Sequence, residues 1–274
     1  MTTTLQGRTI LMSGGSRGIG LAIALRAAAD GANVALLAKT DQPHPALEGT
    51  IHTAAAEIEA AGGKALPVVG DVRSEESVRE AVAATVERFG GIDIVVNNAS
   101  AVDVSPAREL PMKKYDLMQE VNTRGTYLLT AAAIEHLERA ENPHVLTMSP
   151  PLNLDPKWFG PHTAYSISKY GMSMVTLGLA EELREAGIAV NSLWPRTIIA
   201  TAAIRNVLGG EAAMARARDP RIMGDAAHAI LTRPARETTG TFFVDDEVLA
   251  EAGITDLSVY GGSPETLQPD IFLD

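Results

Sequence analysis

Residues 9–20 read Thr-Ile-Leu-Met-Ser-Gly-Gly-Ser-Arg-Gly-Ile-Gly, and an alanine-rich run follows to Ala29. The apolar tetrad 9–12 suits a buried strand. Residues 21–29 have good helix propensity. Between them Gly14 permits a tight turn, Gly18 lets the backbone approach a diphosphate, and Gly20 lets helix and strand pack closely. The free N–H groups at the positive end of the helix then face the anion. A strand, a glycine turn and a helix in this order commit the chain to a βα unit.

The rest of the chain repeats that alternation, which implies a parallel sheet covered on both faces. Strands are predicted at 33–38, 65–69, 92–96, 144–148, 188–193 and 240–244. Helices are predicted at 51–61, closed by Gly62-Gly63, and at 74–89, with Ser74 as N-cap and Ser77 as a further capping candidate. A long helix lies within 116–140, another spans 163–186, and 200–228 is helical but mixed. Residues 41–50, with Pro43 and Pro45, read as a loop. Nothing suggests an internal repeat or a linker. The expected fold is one Rossmann-type doubly wound α/β domain over residues 1–274 with helices on both faces of the sheet.

A net charge of −11 argues against nucleic acid or an anionic membrane as partner. The chain has no cysteine, which excludes disulfide and thiol chemistry. His44, His52, His136, His144, His162 and His228 show no zinc-like spacing, so no metal is expected. No apolar stretch approaches the ~18 residues of a membrane span. Met-Thr-Thr-Thr-Leu-Gln-Gly-Arg at the start has no signal-peptide core, and Ile-Phe-Leu-Asp at the end is no peroxisomal address. A cytoplasmic setting is the expectation.

Tyr165 and Lys169 lie four residues apart in Tyr-Ser-Ile-Ser-Lys, on one face of the predicted helix. A neighbouring ammonium lowers a phenol's pKa. A phenol so tuned exchanges a proton with a reacting oxygen. Two rival motifs overlap these residues. Gly14–Gly18 also satisfies G-x-S-x-G, and Ser166–Lys169 satisfies S-x-x-K. An elbow on the first strand leaves almost no upstream chain for an oxyanion loop, and the S-x-x-K has no S-D-N or K-T-G partner. Both hydrolase readings are rejected.

The G-x-x-x-G-x-G spacing of Gly14, Gly18 and Gly20, with Ser13 before it, resembles the T-G-x-x-x-G-I-G loop of short-chain dehydrogenases/reductases. Asn97-Asn98-Ala99-Ser100 resembles that family's N-N-A-G segment, with serine for glycine. Asn122 matches its helix asparagine, and Tyr165 and Lys169 its Y-x-x-x-K. The resemblance implies a catalytic set of Tyr165, Lys169, Asn122 and Ser149. It implies a cofactor-binding set of Gly14, Ser16, Arg17, Gly18, Ile19, Gly20, Lys39, Asp71, Val72, Asn98, Ala99, Tyr165, Lys169, Pro195 and Thr197. The family's catalytic serine has no clean counterpart. Alignment on the fifth strand puts Pro150 in its place, with Ser149 beside it. The segments 150–159, 193–197 and 267–273 depart from the wider family and narrow the resemblance.

The residue that meets the adenosine ribose lies at the end of the second strand. Ala38 occupies the position where NAD enzymes place a carboxylate. Lys39 follows, and Arg17 reaches the same place. Two cations and no carboxylate favour NADP(H). The expected activity is hydride transfer between NADP(H) and a small hydrophobic carbonyl or alcohol, with Tyr165 as general acid/base. Trp158, Phe159, Trp194 and Met174 are candidates for the pocket wall. The alternative is an NADP-binding sensor or regulatory protein with little catalysis. Family members usually pair through the helices near 116–140 and 163–186, so a homodimer or homotetramer is expected.

Overall fold

The computed structural model describes residues 4–43, 48–263 and 265–274. Residues 44–47 of the predicted 41–50 loop, including His44 and Pro45, lie outside the described residues. Short apolar runs form the strands β1 (Thr9–Ser13), β2 (Asn33–Ala38), β3 (Lys64–Val69), β4 (Ile94–Asn97), β5 (His144–Thr147), β6 (Ala189–Trp194) and β7 (Phe242–Val244). They form a seven-stranded sheet in the order β3-β2-β1-β4-β5-β6-β7, parallel at every pairing. Each predicted strand is present within a few residues.

Successive strand side chains point to opposite faces, so each face needs its own cover. Ile10 and Met12 of β1 join one core with Leu36 of β2 and Val96 of β4. The helices α1 (Gly18–Ala29) and α8 (Arg221–Leu231) close that face through Ile23, Ile222 and Ile230. Leu11, Ala35 and Val95 point the other way. There α3 (Glu75–Phe89), α5 (Gly125–Leu137) and α6 (Thr163–Glu182) cover them through Val78, Leu129 and Leu179. Burial of strands on both faces explains why they read as continuous apolar runs and do not alternate.

Local capping follows the sequence. Thr50 caps α2 (Ile51–Ala60) reciprocally with Thr53. Ser74 caps α3 by accepting from the Ser77 N–H, so Ser74 and not Ser77 is the cap. Gly62, at φ +105, closes α2. The helix predicted within 116–140 is not continuous. It comprises α4 (Met112–Met118), a π-helical segment (Gln119–Arg124) and α5. A π segment places one extra residue in the turn and often marks a functional position; here it carries Asn122. The helix at 163 ends at Glu182, short of the predicted 186. Region 200–228 contains a π segment (Ile204–Leu208), α7 (Gly210–Met214) and the start of α8.

The chain leaves β1 for β2 on one side, while β4 flanks β1 on the other. The crevice outside the carboxyl ends of β1 and β4 is where open α/β sheets bind ligands.

Candidate active site

The glycine loop after β1 and the loop after β4 are bonded to each other. Ser13 Oγ accepts from the N–H groups of Asn98 and Ala99, and Asn98 Nδ2 donates to Gly14 O at 2.7 Å. This contact leaves no room for side chains. A Cβ on Gly20 would sit 2.5 Å from Asn98 Nδ2, and one on Gly14 would sit 2.8 Å from Ala99 Cα. Gly14 and Gly18 also have positive φ, +74 and +59.

The two loops border a groove of about 560 Å³. Gly14, Ser16, Arg17, Gly18, Ile19, Lys39, Asp71, Val72, Asn98 and Ala99 of the predicted cofactor set all line it. Gly20 lies behind the lining as packing support. At the far end Lys39 Nζ donates to Asp71 at 3.2 Å, and Arg73 bonds the same carboxylate. Partial burial would raise the Asp71 carboxyl, but the bonds from Arg73 and Lys39 hold it down at about 2. Arg17 donates to the carbonyls of Glu48 and Gly49, tying the glycine loop to the start of α2. Pro195 and Thr197 follow β6. Neither is among the residues that line the groove, and Thr197 Oγ1 is buried with no partner among the described residues. A dinucleotide cofactor fits the residues that do line it.

Tyr165 and Lys169 lie on the first turns of α6, both almost fully buried. Lys169 Nζ donates to Met148 O at 2.8 Å and stands 5.2 Å from the Trp194 ring centroid. Burial pulls its pKa down to about 7, with the charge on Asp270 acting the other way. Burial and the Asp270 charge both push the Tyr165 phenol upward. The net direction for the Tyr165 phenol in this state is therefore upward, opposite to the lowering expected from a neighbouring Lys169 alone. The dry surroundings disfavour the charged form of both groups, and that effect dominates.

Asn122 is wholly buried. Its amide accepts from Ala101 N–H at 2.7 Å and donates to Ala101 O and Ser168 Oγ. It thus clamps the loop after β4 to α6. Ser149 is bonded into the interior. Its Oγ pairs with Ser192 Oγ at 2.8 Å, and Ser192 bonds Thr176. The structure does not present this hydroxyl to the cleft, because it is fully enclosed between β5, β6 and α6. Met174, expected in the pocket wall, instead lies exposed on the outer face of α6.

The other wall candidates converge. Trp158, Phe159 and Trp194 join Tyr165, Tyr170 and Phe272 in one cluster, against which Ala101 and Val102 pack. Ala101 and Val102 also line the groove, so the aromatic cluster packs directly behind that part of its lining. Phe272 is fully buried and stacks on Tyr165, with centroids 6.4 Å apart and planes at 25°. Its φ is +76, a left-handed value found at no other described non-glycine residue; such strain costs about 1–3 kcal/mol and tends to collect at functional sites.

Sequence reasoning missed two residues that pack on the Tyr165 ring: Phe272 and His162. The odd composition of 267–273 was visible, but no local pattern shows that this segment returns to α6. His162 precedes α6, is nearly buried, and its Nε2 has no partner among the described residues.

With this geometry the class of the chain is defined: it belongs to the short-chain dehydrogenase family, a family of nicotinamide-dependent oxidoreductases, whose sequence model matches residues 8–209. Over all 274 residues it is 56% identical to hydroxysteroid dehydrogenase-like protein 2 of Danio rerio, and it spans 65% of that protein's length. A short-chain dehydrogenase from Mycobacterium thermoresistibile superposes with a TM-score of 0.93 at 56% identity, over 99% of this chain and 96% of the other. The fold is shared, at 24% identity, with a metagenomic short-chain oxidoreductase in complex with NADP (TM-score 0.72) and an NADH-dependent reductase complexed with NAD (TM-score 0.71), which cover 88% and 89% of this chain and 97% of each of theirs. Among the described residues no helix is long and apolar enough to cross a membrane.

Proposed function

We propose that this chain is an NADP(H)-dependent oxidoreductase acting on a hydrophobic carbonyl or alcohol. The observation that carries this reading is the glycine-loop groove, whose lining residues Ala101 and Val102 also pack against the aromatic cluster that holds Tyr165. Bound in the groove, a nicotinamide would supply or accept the hydride. Tyr165 exchanges a proton with the substrate oxygen. Lys169 favours the developing phenolate and is placed to hold the ribose. Asn122 keeps the loop after β4 in register with α6. Ser149 is bonded elsewhere, so Tyr165 carries the polarisation of the substrate oxygen without it.

The preference for NADP rests on Lys39 and Arg17 along the groove and on Ala38 at the end of β2. Asp71, the carboxylate on the lining nearest Lys39, is already engaged by Lys39 and Arg73. The aromatic cluster around Tyr165 supports an apolar substrate. We also propose that the chain assembles as a homodimer or homotetramer through α5 and α6, whose outer faces expose Tyr127, Ile167, Met174 and Leu177.

The test is NADPH oxidation against a panel of hydrophobic ketones, aldehydes and acyl carbonyls, with Tyr165→Phe as control. The variant should lose most turnover, by roughly a hundredfold or more, and bind NADPH nearly as tightly as the parent. Full activity in Tyr165→Phe would remove it from the mechanism, and equal affinity for NADH and NADPH would remove the NADP assignment. The enclosed Ser149 and Pro150 beside it favour one second reading, a nucleotide-binding sensor. Tight NADPH binding with no turnover across the panel would select it.

A further inference from the structure

Phe272 is the centre of the aromatic cluster. Its ring is fully buried among five others: Tyr170 at 5.2 Å between centroids, Trp194 at 5.8 Å, His162 at 6.1 Å, Trp158 at 6.3 Å and Tyr165 at 6.4 Å. Tyr165 lies under that ring and is only 6% exposed. For a substrate's apolar body to lie against Tyr165, a neighbouring group has to give way.

The five surrounding rings belong to fixed parts of the fold. Tyr165 and Tyr170 lie on α6, His162 immediately precedes it, Trp194 ends β6, and Trp158 is in a short 3-10 helix (Pro156–Trp158). Phe272 lies in a segment with neither helix nor strand. The base of that segment is tied by backbone bonds: Gln268 N–H donates to Arg216 O, Ile198 N–H to Gln268 O, and Asp270 N–H to Arg196 O. Past Asp270 the described ties to the rest of the chain all use side chains. Trp194 Nε1 donates to Ile271 O at 2.9 Å, and Asn153 and Lys157 bond the exposed Asp274 carboxylate. Residues 271–274 can therefore turn away while 268–270 stay in place.

Two features work against the closed arrangement. Phe272 has φ +76, in the left-handed region that a bulky residue enters only under strain, and strain of this kind collects at clamps and switches. His162 Nε2, beside Phe272, is buried without a partner among the described residues, and an unpaired buried polar atom is also costly. Burial of the ring holds the site shut against both.

Resting on the oxidoreductase reading above, we propose that Phe272 is a specificity-determining residue: its ring holds the place of the substrate's apolar group, and a carbonyl compound bearing a flat, phenyl-sized group displaces it. The shape of the place follows from its present occupant, a benzyl group enclosed by aromatic faces and edges. Such surroundings favour another flat ring over a flexible chain. Because the closed ring competes with every ligand, one that fills its place poorly binds weakly. Displacement relieves the Phe272 backbone. The substrate oxygen then gives Tyr165 and His162, whose rings are in edge contact, the polar partner that Phe272 cannot.

The experiment is fluorine NMR on the full chain with 4-fluorophenylalanine at its five phenylalanines, titrated with 4-phenyl-2-butanone both alone and with saturating NADP. Phe272→Leu identifies the Phe272 resonance, and Phe272→Tyr does so if the first variant fails to fold. The ketone should move that resonance to the position of a solvent-exposed fluorophenylalanine and leave those of Phe89, Phe242 and Phe243 in place. 2-Decanone, a flexible ketone with as many carbons, should bind more weakly by about tenfold or more. Tyr165→Phe should leave the displacement unchanged, so a misassigned acid and a misassigned Phe272 are told apart. A Phe272 resonance that stays put while 4-phenyl-2-butanone binds would overturn the proposal. Failure of this ketone to bind in either condition, or equal affinity for the two ketones, would overturn it as well.

Discussion

At the residue scale, what a side chain does here depends on whether it meets the cleft or the interior. Ser149 and Tyr165 illustrate the difference. Both belong to the set implied by family resemblance, yet Ser149 closes a buried hydroxyl chain through Ser192 to Thr176. Removing one member of such a chain leaves its partner unsatisfied. Ser149→Ala is therefore expected to cost about 1–3 kcal/mol of stability, read by denaturant unfolding, with kcat nearly unchanged. A drop in kcat of roughly a hundredfold, the scale of proton-transfer participation, would return the hydroxyl to the chemistry. The glycines act by what they leave out. At Gly20 even a methyl group would meet Asn98 and Gly14 O, and the groove would open at its base.

At the scale of elements, α6 does two jobs on opposite faces. Its inner face carries Tyr165 and Lys169, and its outer face exposes Ile167, Met174 and Leu177. Exposed apolar residues on neighbouring helices form a patch suited to a protein interface. With Tyr127 on α5, that patch is the surface proposed for self-association. A charge placed at its centre should be poorly tolerated in an interface and harmless on a free surface. Leu177→Glu is expected to reduce the mass in multi-angle light scattering to that of a single chain while leaving the circular dichroism spectrum intact. An unchanged mass would exclude this face. The π segment between α4 and α5 also acts as an element: it carries Asn122 to the loop after β4, and through Ser168 it couples that loop to α6.

For the whole molecule, pH is the variable that separates buried groups of opposite sign. His144 starts β5 and is fully buried. Its Nε2 bonds Arg233 O, and its Nδ1 has no partner among the described residues. Burial holds its pKa down to about 4, against the pull of that backbone bond. Between the unfolded value near 6.5 and the native value near 4, the unfolded chain binds a proton that the native chain refuses. This group's contribution is thus present above about 6.5 and is lost as pH falls, by up to ~3 kcal/mol. Asp245 and Asp270 act in the opposite sense. Burial raises them to about 6 and about 7, so the stability they contribute in the protonated form is lost as pH rises through those values. Comparing parent and His144→Gln by urea unfolding at neutral pH and near pH 5 isolates the histidine. The stability gap between the two pH values should be smaller in the variant, and an identical gap would show that His144 does not titrate in this way.

The order of strands and helices, the glycine loop and the placement of Tyr165 and Lys169 on one helix face were all legible in the amino-acid sequence. Each is written within a few residues, by apolar runs, by turn residues and by helical spacing. The groove lining was legible for the same reason, since parallel topology brings the carboxyl ends of β1, β2, β3 and β4 to one edge. Three things were decided only by tertiary structure. Ser149 turned inward because the hydroxyls of β6 and α6 were there to receive it. The helix around Asn122 broke into a π segment where its amide met Ala101. Most consequentially, the segment 268–274 returned to α6 and set Phe272 against Tyr165. Contacts between segments so distant in the chain leave no periodic trace. The charge state of a buried phenol or ammonium depends on the surrounding dielectric and counter-charges, and these exist only once the chain has folded.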